Sequence, residues 1–229
     1  MTEITEHLAN ILERVAGASR ATGRSDARIV VVAVSKQQPA AAIREAFAAG
    51  QRDFGESYVQ EAIEKMDVLA DLDITWHFIG RVQANKTREI AARFQWVHTV
   101  DRPKIAARLN DQRPHFAPPL NVLIQVNQAR EPHKSGLDPA DVAGLAREIV
   151  RLPRLKLRGL MTIPPADDDP TAWFERLAVQ RAELSAAGLE LDTLSMGMSE
   201  DFERAIAAGS NCVRLGAAIF GSRPGKAAG

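Results

Sequence analysis

The segment Ile29–Ser35 has the sequence IVVVAVS, and Lys36 follows it directly. A continuous apolar, β-branched run of this length is typical of a strand that is buried on both faces of a parallel sheet. Further short runs alternate with longer stretches of helical period, which indicates repeated βα units. The seven further predicted strands are Asp53–Phe54, Thr75–Ile79, Trp96–Thr99, Val122–Asn127, Leu157–Thr162, Thr193–Met196 and Cys212–Leu215.

The stretches between the strands carry the helical pattern, with Pro39 and Pro139 where a first turn accepts proline and Gly50, Gly188 and Gly209 where helices end. Together with an amphipathic N-terminal segment, they predict an α/β fold: a single (β/α)8 TIM-type barrel with an additional N-terminal helix. A doubly wound open sheet is the alternative, because periodicity does not show closure. The predicted helices are Pro39–Ala49, Ser57–Leu69, Asn85–Ala92, Arg102–Asn110, Pro139–Arg151, Thr171–Ala187 and Glu200–Ala208.

No proline-rich or low-complexity linker divides the chain, so we expect residues 1–229 to form one domain. The sequence PPADDDP at Pro164–Pro170 predicts a polar loop after the sixth strand. The N-terminal segment contains acidic residues and lacks the apolar core of a signal peptide. No other segment is apolar over a membrane-spanning length, so we expect no membrane partner.

The composition favours a small-molecule partner. Lysine and arginine total 29, and aspartate and glutamate also total 29, so no net charge attracts nucleic acid. The single cysteine, Cys212, excludes an internal disulfide and a cysteine-cluster metal site, which fits a reducing cytoplasm. No zinc-protease, serine-hydrolase or phosphate-loop motif occurs, so we expect no metal.

Lys36 should emerge at the C-terminal mouth of the barrel, where barrel active sites are assembled. Apolar surroundings disfavour a charged amine, and a neutral amine can attack an aldehyde to form a Schiff base. The alternative is a lysine whose stem covers the barrel rim while its ammonium group reaches water. This segment taken alone favours the alternative.

The last two strands add a candidate phosphate site. Ser199 follows the seventh strand as a natural N-cap of an acidic helix, and Gly216 follows the eighth strand. Barrels commonly bind phosphate in these loops, with backbone amides at a helix start as donors. The alternative is that Ser199 only caps a helix and that Gly216 only permits a tight turn.

Arg214 lies two residues after Cys212 on a short strand, so the two side chains point to the same face. Arg214 is therefore predicted to point into the barrel. A buried guanidinium needs an acceptor, and a pyridine nitrogen is one that would stay unprotonated beside arginine. An internal salt bridge with Glu56 is the alternative.

Six ordered segments carry a resemblance that spans almost the whole chain. They are AVSKQQP (Ala33–Pro39), FGESYVQE (Phe54–Glu61), WHFIGRVQANK (Trp76–Lys86), VNQAREPHKSGL (Val126–Leu137), LRGLMTIPP (Leu157–Pro165) and LSMGMSEDFERAIAAGSNCVRLGAAIFGSR (Leu194–Arg223). The chain resembles the pyridoxal 5′-phosphate (PLP) homeostasis protein family. That family has the fold-type III barrel, which is similar to the barrel domain of alanine racemase.

The resemblance implies a cofactor site for PLP. Lys36 would hold PLP as a Schiff base, Arg214 would face the pyridine nitrogen, and the phosphate would be bound by Ser199, Gly216 and the amide of Ala217. Ser57 and Met198 complete the expected cofactor-binding set, which is Lys36, Ser57, Met198, Ser199, Arg214, Gly216 and Ala217.

Three positions depart from the family pattern. Ser57 stands in place of an asparagine, Arg81 in place of a histidine, and Ala217 in place of a common threonine. The change at Ala217 removes a hydroxyl donor but keeps the backbone amide, so we expect an altered affinity rather than a lost site. A hydrogen bond contributes about 1 kcal/mol, or up to roughly 3 kcal/mol when one partner is charged.

Other side chains are weaker candidates. His77 is expected to be a hydrogen-bonded core or pocket-wall residue, because nothing beside it in the sequence would orient it for catalysis. Lys86 and Lys134 are expected at the surface, where they could hold phosphate or a second PLP molecule.

Racemisation needs an acid/base group on each face of the PLP adduct, and only Lys36 is evident. The one tyrosine, Tyr58, is expected one residue into a helix, where it would pack. We therefore expect a non-enzymatic, cytoplasmic and monomeric protein that buffers PLP and delivers it to apo forms of PLP-dependent enzymes. A low-activity amino-acid racemase that uses Lys36 with water or Tyr58 is the alternative.

Overall fold

The computed structural model describes residues 2–24 and 28–221, and within them eight parallel strands close into a barrel in chain order. The strands are β1 (Val30–Val34), β2 (Asp53–Glu56), β3 (Thr75–Phe78), β4 (Trp96–Val100), β5 (Leu120–Gln125), β6 (Leu155–Met161), β7 (Thr193–Ser195) and β8 (Cys212–Leu215). Since β1 pairs with both β2 and β8, the closed barrel is confirmed and the open sheet is excluded. Ser222 and Arg223, the last two residues of the final family-like segment, lie outside the described residues.

The leading helix and the seven helices between the strands occur in the predicted order, and the short helix after β8 was not predicted. They are α1 (Glu3–Ala21), α2 (Ala40–Ala48), α3 (Val59–Val68), α4 (Thr87–Arg93), α5 (Pro103–Gln112), α6 (Val142–Ile149), α7 (Pro170–Ala186), α8 (Phe202–Ala207) and α9 (Ala217–Phe220), with 3-10 helices at Ala84–Lys86 and Pro139–Asp141. The glycines at 50, 188 and 209 all have positive φ just past a helix end, as predicted.

Two predicted helix starts are wrong. The helix expected from Ser57 begins at Val59, because Tyr58 keeps an extended backbone with φ −121° and ψ 119°. Tyr58 was expected to pack inside that helix, but it precedes the helix and is 56% exposed. The helix expected from Glu200 begins at Phe202.

The additional N-terminal helix is confirmed as α1. Its buried residues Leu8, Ile11, Val15 and Ser19 recur every three or four positions, so they form one face that packs on α8 and α9. Arg14 anchors the helix by pairing with Glu203 of α8 at 2.8 Å. In the described part of the chain, no helix combines the length and apolarity needed to cross a membrane.

One irregularity in β6 sets the faces of its residues. Val122 of β5 pairs with Leu157, but Leu123 pairs with Gly159, so Arg158 is an extra, bulged residue. At Gly159, φ is +155° and an added Cβ would lie 1.8 Å from the carbonyl oxygen of Thr193. Glycine is therefore required where β6 approaches β7.

We predict that Gly159→Ala lowers the free energy of unfolding by at least about 3 kcal/mol, because the backbone of β7 must move to admit the methyl group. The matched control is Gly144→Ala within α6, where an added Cβ meets nothing within 4 Å. That variant should gain about 0.5–1 kcal/mol from helix propensity. Urea unfolding measures both, and equal stabilities for the two variants would contradict the packing argument.

Candidate functional site

A cavity of about 380 Å³ lies at the C-terminal mouth of the barrel. Its lining contains the whole predicted cofactor-binding set, Lys36, Ser57, Met198, Ser199, Arg214, Gly216 and Ala217. The sequence analysis missed its apolar wall, to which Val34, Ile79, Met161 and Ile163 contribute. The cavity thus combines an amine, a guanidinium group and backbone amides with apolar surface, as small-molecule sites usually do.

Lys36 lies in a turn that is held from both sides. The turn begins where β1 ends, and Gln37 adopts a left-handed conformation with φ 62°. The backbone amide of Gln37 donates to Oε1 of Glu61 at 2.5 Å. The carbonyl of Ser35 accepts from Nζ of Lys65 at 2.7 Å. Two side chains of α3 therefore fix the backbone on each side of Lys36.

Lys65 and Glu56 form a buried ion pair beneath this turn. Nζ of Lys65 lies 2.8 Å from Oε1 of Glu56, which also accepts from the Ser35 hydroxyl at 2.7 Å. Burial raises the pKa of Glu56, and the charge of Lys65 opposes that rise. The sequence did not single out Lys65, because its spacing to Glu56 carries no motif.

Arg214 points into the barrel, as its phase on β8 predicts, and is only 4% exposed. Its Nη1 donates to Oγ of Ser195 at 2.7 Å and its Nη2 donates to the carbonyl of Thr162 at 3.0 Å. The alternative of a salt bridge with Glu56 is wrong, since Glu56 pairs with Lys65. Burial lowers the pKa of Arg214, but arginine starts so far above neutrality that it remains charged.

The loops after β7 and β8 form the other end of the cavity. The sequence predicts that Ser199 is the N-cap of α8, and this prediction is wrong. Asp201 occupies that position, and its Oδ1 accepts from the amide of Met198 at 2.6 Å. After β8, the first amide that bonds back along the chain belongs to Ile219, which donates to the Gly216 carbonyl at 2.9 Å. The amides of Ala217 and Ala218 precede it, in the first turn of α9.

A row of polar side chains crosses the barrel interior below the cavity. His77 is 2% exposed and is confirmed as a hydrogen-bonded core residue. Its Nε2 lies 2.9 Å from Oδ1 of Asp53, and its Nδ1 lies 2.9 Å from Nε2 of His98. Nδ1 of His98 lies 2.9 Å from Oγ of Ser195. Burial lowers the pKa of His77 and lowers that of His98 further, so both are neutral at pH 7.

Lys86 and Lys134 stand apart from the Lys36 cavity. Lys86 lines a neighbouring cavity of about 220 Å³ together with Ser57, Tyr58 and Arg81. Lys134 forms an ion pair with Glu131 at 2.7 Å. Within residues 2–24 and 28–221, no three His, Cys, Asp or Glu side chains are arranged to hold a metal ion.

The chain matches known proteins along nearly its whole length. Residues 7–224 match the family model of the alanine racemase N-terminal domain. A pyridoxal phosphate homeostasis protein of Pseudomonas aeruginosa is 53% identical over 223 residues, which cover 97% of each chain. The chain belongs to the pyridoxal phosphate homeostasis protein family. The resemblance seen in the sequence is therefore confirmed.

Solved structures place this family among the racemase-like barrels. PipY of Synechococcus elongatus, determined with PLP bound, is 39% identical with a TM-score of 0.84, and the match covers 95% of this chain and 100% of PipY. Alanine racemase of Corynebacterium glutamicum has a TM-score of 0.67 at 20% identity, and the match covers 63% of that enzyme. The family therefore shares its fold with the racemase, and this chain matches only part of the racemase's length.

The buried histidines predict a stability that depends on pH. Their pKa values lie below the usual 6.5 in the folded protein, so below pH 6.5 the unfolded chain binds more protons. Stability should therefore fall as pH drops from 7 toward 5, by up to about 1.4 kcal/mol per pH unit for each histidine.

Urea unfolding at several pH values measures this slope. His98→Gln removes one titrating group and should flatten the slope between pH 6.5 and 5. The exposed His115 supplies the matched control, His115→Gln, which should leave the slope unchanged. A His98→Gln slope identical to that of the wild type would contradict the contribution of His98.

Proposed function

We propose that the protein binds PLP and serves intracellular PLP homeostasis, buffering the cofactor and delivering it to apo forms of PLP-dependent enzymes. The observation that carries the proposal is one cavity that brings together Lys36, Arg214 and the start of α9. The name of the Pseudomonas aeruginosa relative and the PLP bound to PipY support it.

The donor set of the cavity fits PLP. An aldehyde requires an amine, which Lys36 supplies. A pyridine nitrogen requires a hydrogen-bond donor, and Arg214 lines the cavity with two of its five N–H groups already committed to Ser195 and Thr162. A phosphate requires several donors, which the Ser199 hydroxyl and the amides at Gly216 and Ala217 provide.

Each residue has a distinct task in this proposal. Lys36 holds the cofactor through a reversible Schiff base, which exchanges with another amine or with water. Arg214 donates to the ring nitrogen and, because it keeps its proton, leaves that nitrogen uncharged. When bound in this way, PLP is a poorer electron sink than PLP whose nitrogen faces a carboxylate, which favours storage over catalysis.

The racemase alternative has less support. Tyr58, the only tyrosine, is 56% exposed and lines the neighbouring cavity, where it is poorly placed as a second acid/base group. We therefore propose a carrier without sustained turnover. We also propose that it acts as a monomer in the cytoplasm.

Replacing Lys36 tests cofactor attachment. We predict that Lys36→Ala abolishes the visible absorption band of the PLP-loaded protein and abolishes labelling that survives borohydride reduction. The matched control is Lys134→Ala, which removes a lysine paired with Glu131 and should leave the band intact. A Lys36→Ala protein that is equally coloured and equally reducible would assign the Schiff base to another lysine.

Transfer experiments test delivery. The loaded protein, mixed with an apo PLP-dependent enzyme, should restore its activity faster than PLP escapes into an excess of a trapping amine. Equal rates would reduce the protein to a passive buffer. Sustained racemisation of free amino acids that disappears in Lys36→Ala would overturn the carrier proposal in favour of the enzyme.

A further inference from the structure

The polar row inside the barrel connects the cavity to the opposite end of the molecule. It runs from Arg214 through Ser195, His98 and His77 to Asp53, with successive distances of 2.7, 2.9, 2.9 and 2.9 Å. Asp53 begins β2 and is thus at the N-terminal end of the barrel, where it does not line the Lys36 cavity. The row therefore spans from one end of the barrel to the other.

The Asp53 end of the row and the neutrality of both histidines fix the direction of the hydrogen bonds between them and Ser195. A guanidinium only donates and a carboxylate only accepts. His77 must therefore donate from Nε2 to Asp53, and because it is neutral, its Nδ1 accepts from Nε2 of His98. Nδ1 of His98 in turn accepts from the Ser195 hydroxyl, whose oxygen accepts from Arg214.

The surroundings bury the middle of this row, whereas the side chain of Asp53 is 25% exposed. His98 and Ser195 are fully buried. His77 stacks on Trp96 with ring centroids 5.5 Å apart, and the guanidinium of Arg158 lies 4.9 Å from the Trp96 ring. Directed hydrogen bonds polarise one another in such a medium, so a change at one end is felt at the other.

We propose that Asp53, His77, His98 and Ser195 form a positioning relay that orients Arg214 and balances its charge, and thereby tunes the ring nitrogen of bound PLP from the far end of the barrel. This inference rests on the proposed function, since it assigns the partner of Arg214 in the cavity. The relay residues do not react. They act only through Arg214.

Nitrogen-15 NMR of the full-length protein tests the direction of the relay without relying on the cofactor. Both His77 and His98 should carry their proton on Nε2, with and without added PLP. Either histidine protonated on Nδ1 would break the chain of donors and overturn the relay.

Visible absorption of the PLP-loaded protein at a fixed pH tests its influence. Asp53→Asn and Ser195→Ala should shift the absorption maximum in the same direction, and the double variant should shift it no further than Ser195→Ala alone. The matched control is Asp71→Asn, which removes a carboxylate in the loop before β3 that pairs with Arg44 instead. It should leave the spectrum of the wild type unchanged.

Each outcome separates the relay from the proposed function. A wild-type band that is unaffected by Asp53→Asn would overturn the relay and leave PLP binding intact. A shift of equal size in Asp71→Asn would reduce the effect to general charge and also overturn the relay. A wild type without any PLP-dependent band would overturn the proposed function, whereas the tautomers would still decide whether the relay exists. If Ser195→Ala does not fold, Asp53→Asn alone decides.

Discussion

A fully charged guanidinium inside a closed barrel is the constraint on which the site depends. Arg214 has almost no contact with solvent, so its N–H groups must find acceptors within the protein. Ser195 and the Thr162 carbonyl supply two of them, which ties β8 to β7 and to the end of β6. Arg214 also lines the Lys36 cavity, where a ligand that accepts hydrogen bonds would suit its remaining N–H groups.

A second buried charge has a different role. Lys65 and Glu56 pair beneath the turn that carries Lys36, and Oε2 of Glu56 has no hydrogen-bond partner among the described residues. A buried pair of this kind contributes little net stability, because desolvation offsets the attraction. We infer that the pair instead specifies the conformation of the turn that carries Lys36. Lys65 and Glu61 contact the backbone on both sides of Lys36, so the direction of that side chain depends on α3.

The sequence was sufficient for features that depend on period and order. The apolar run before Lys36 and the alternation of strands and helices predicted the βα order, and the phase of Arg214 predicted its direction. Closure of the barrel and the lining residues Ser57, Met198 and Ala217 were expected only from the family resemblance. The contact between His98 and Ser195 could not be foreseen, because these residues are 97 positions apart and meet across the barrel interior. Which side chains meet there depends on strand tilt and shear. The start of α8 was missed because Asp201, and not Ser199, is its N-cap, and the Asp201 side chain accepts from the Met198 amide before the helix and not from an amide of the helix.

The bulge at Arg158 also restricts how the length of this chain can vary. Leu157 and Gly159 lie on opposite faces because Arg158 is the extra residue, so deleting Arg158 would remove the bulge and leave every later position of β6 on its present face. Met161 would then still pair with Gln125 and line the cavity. Deleting Leu160 instead would move Met161 into its place and turn it toward the surrounding helices, so β6 can lose its bulged residue but not a residue that follows the bulge.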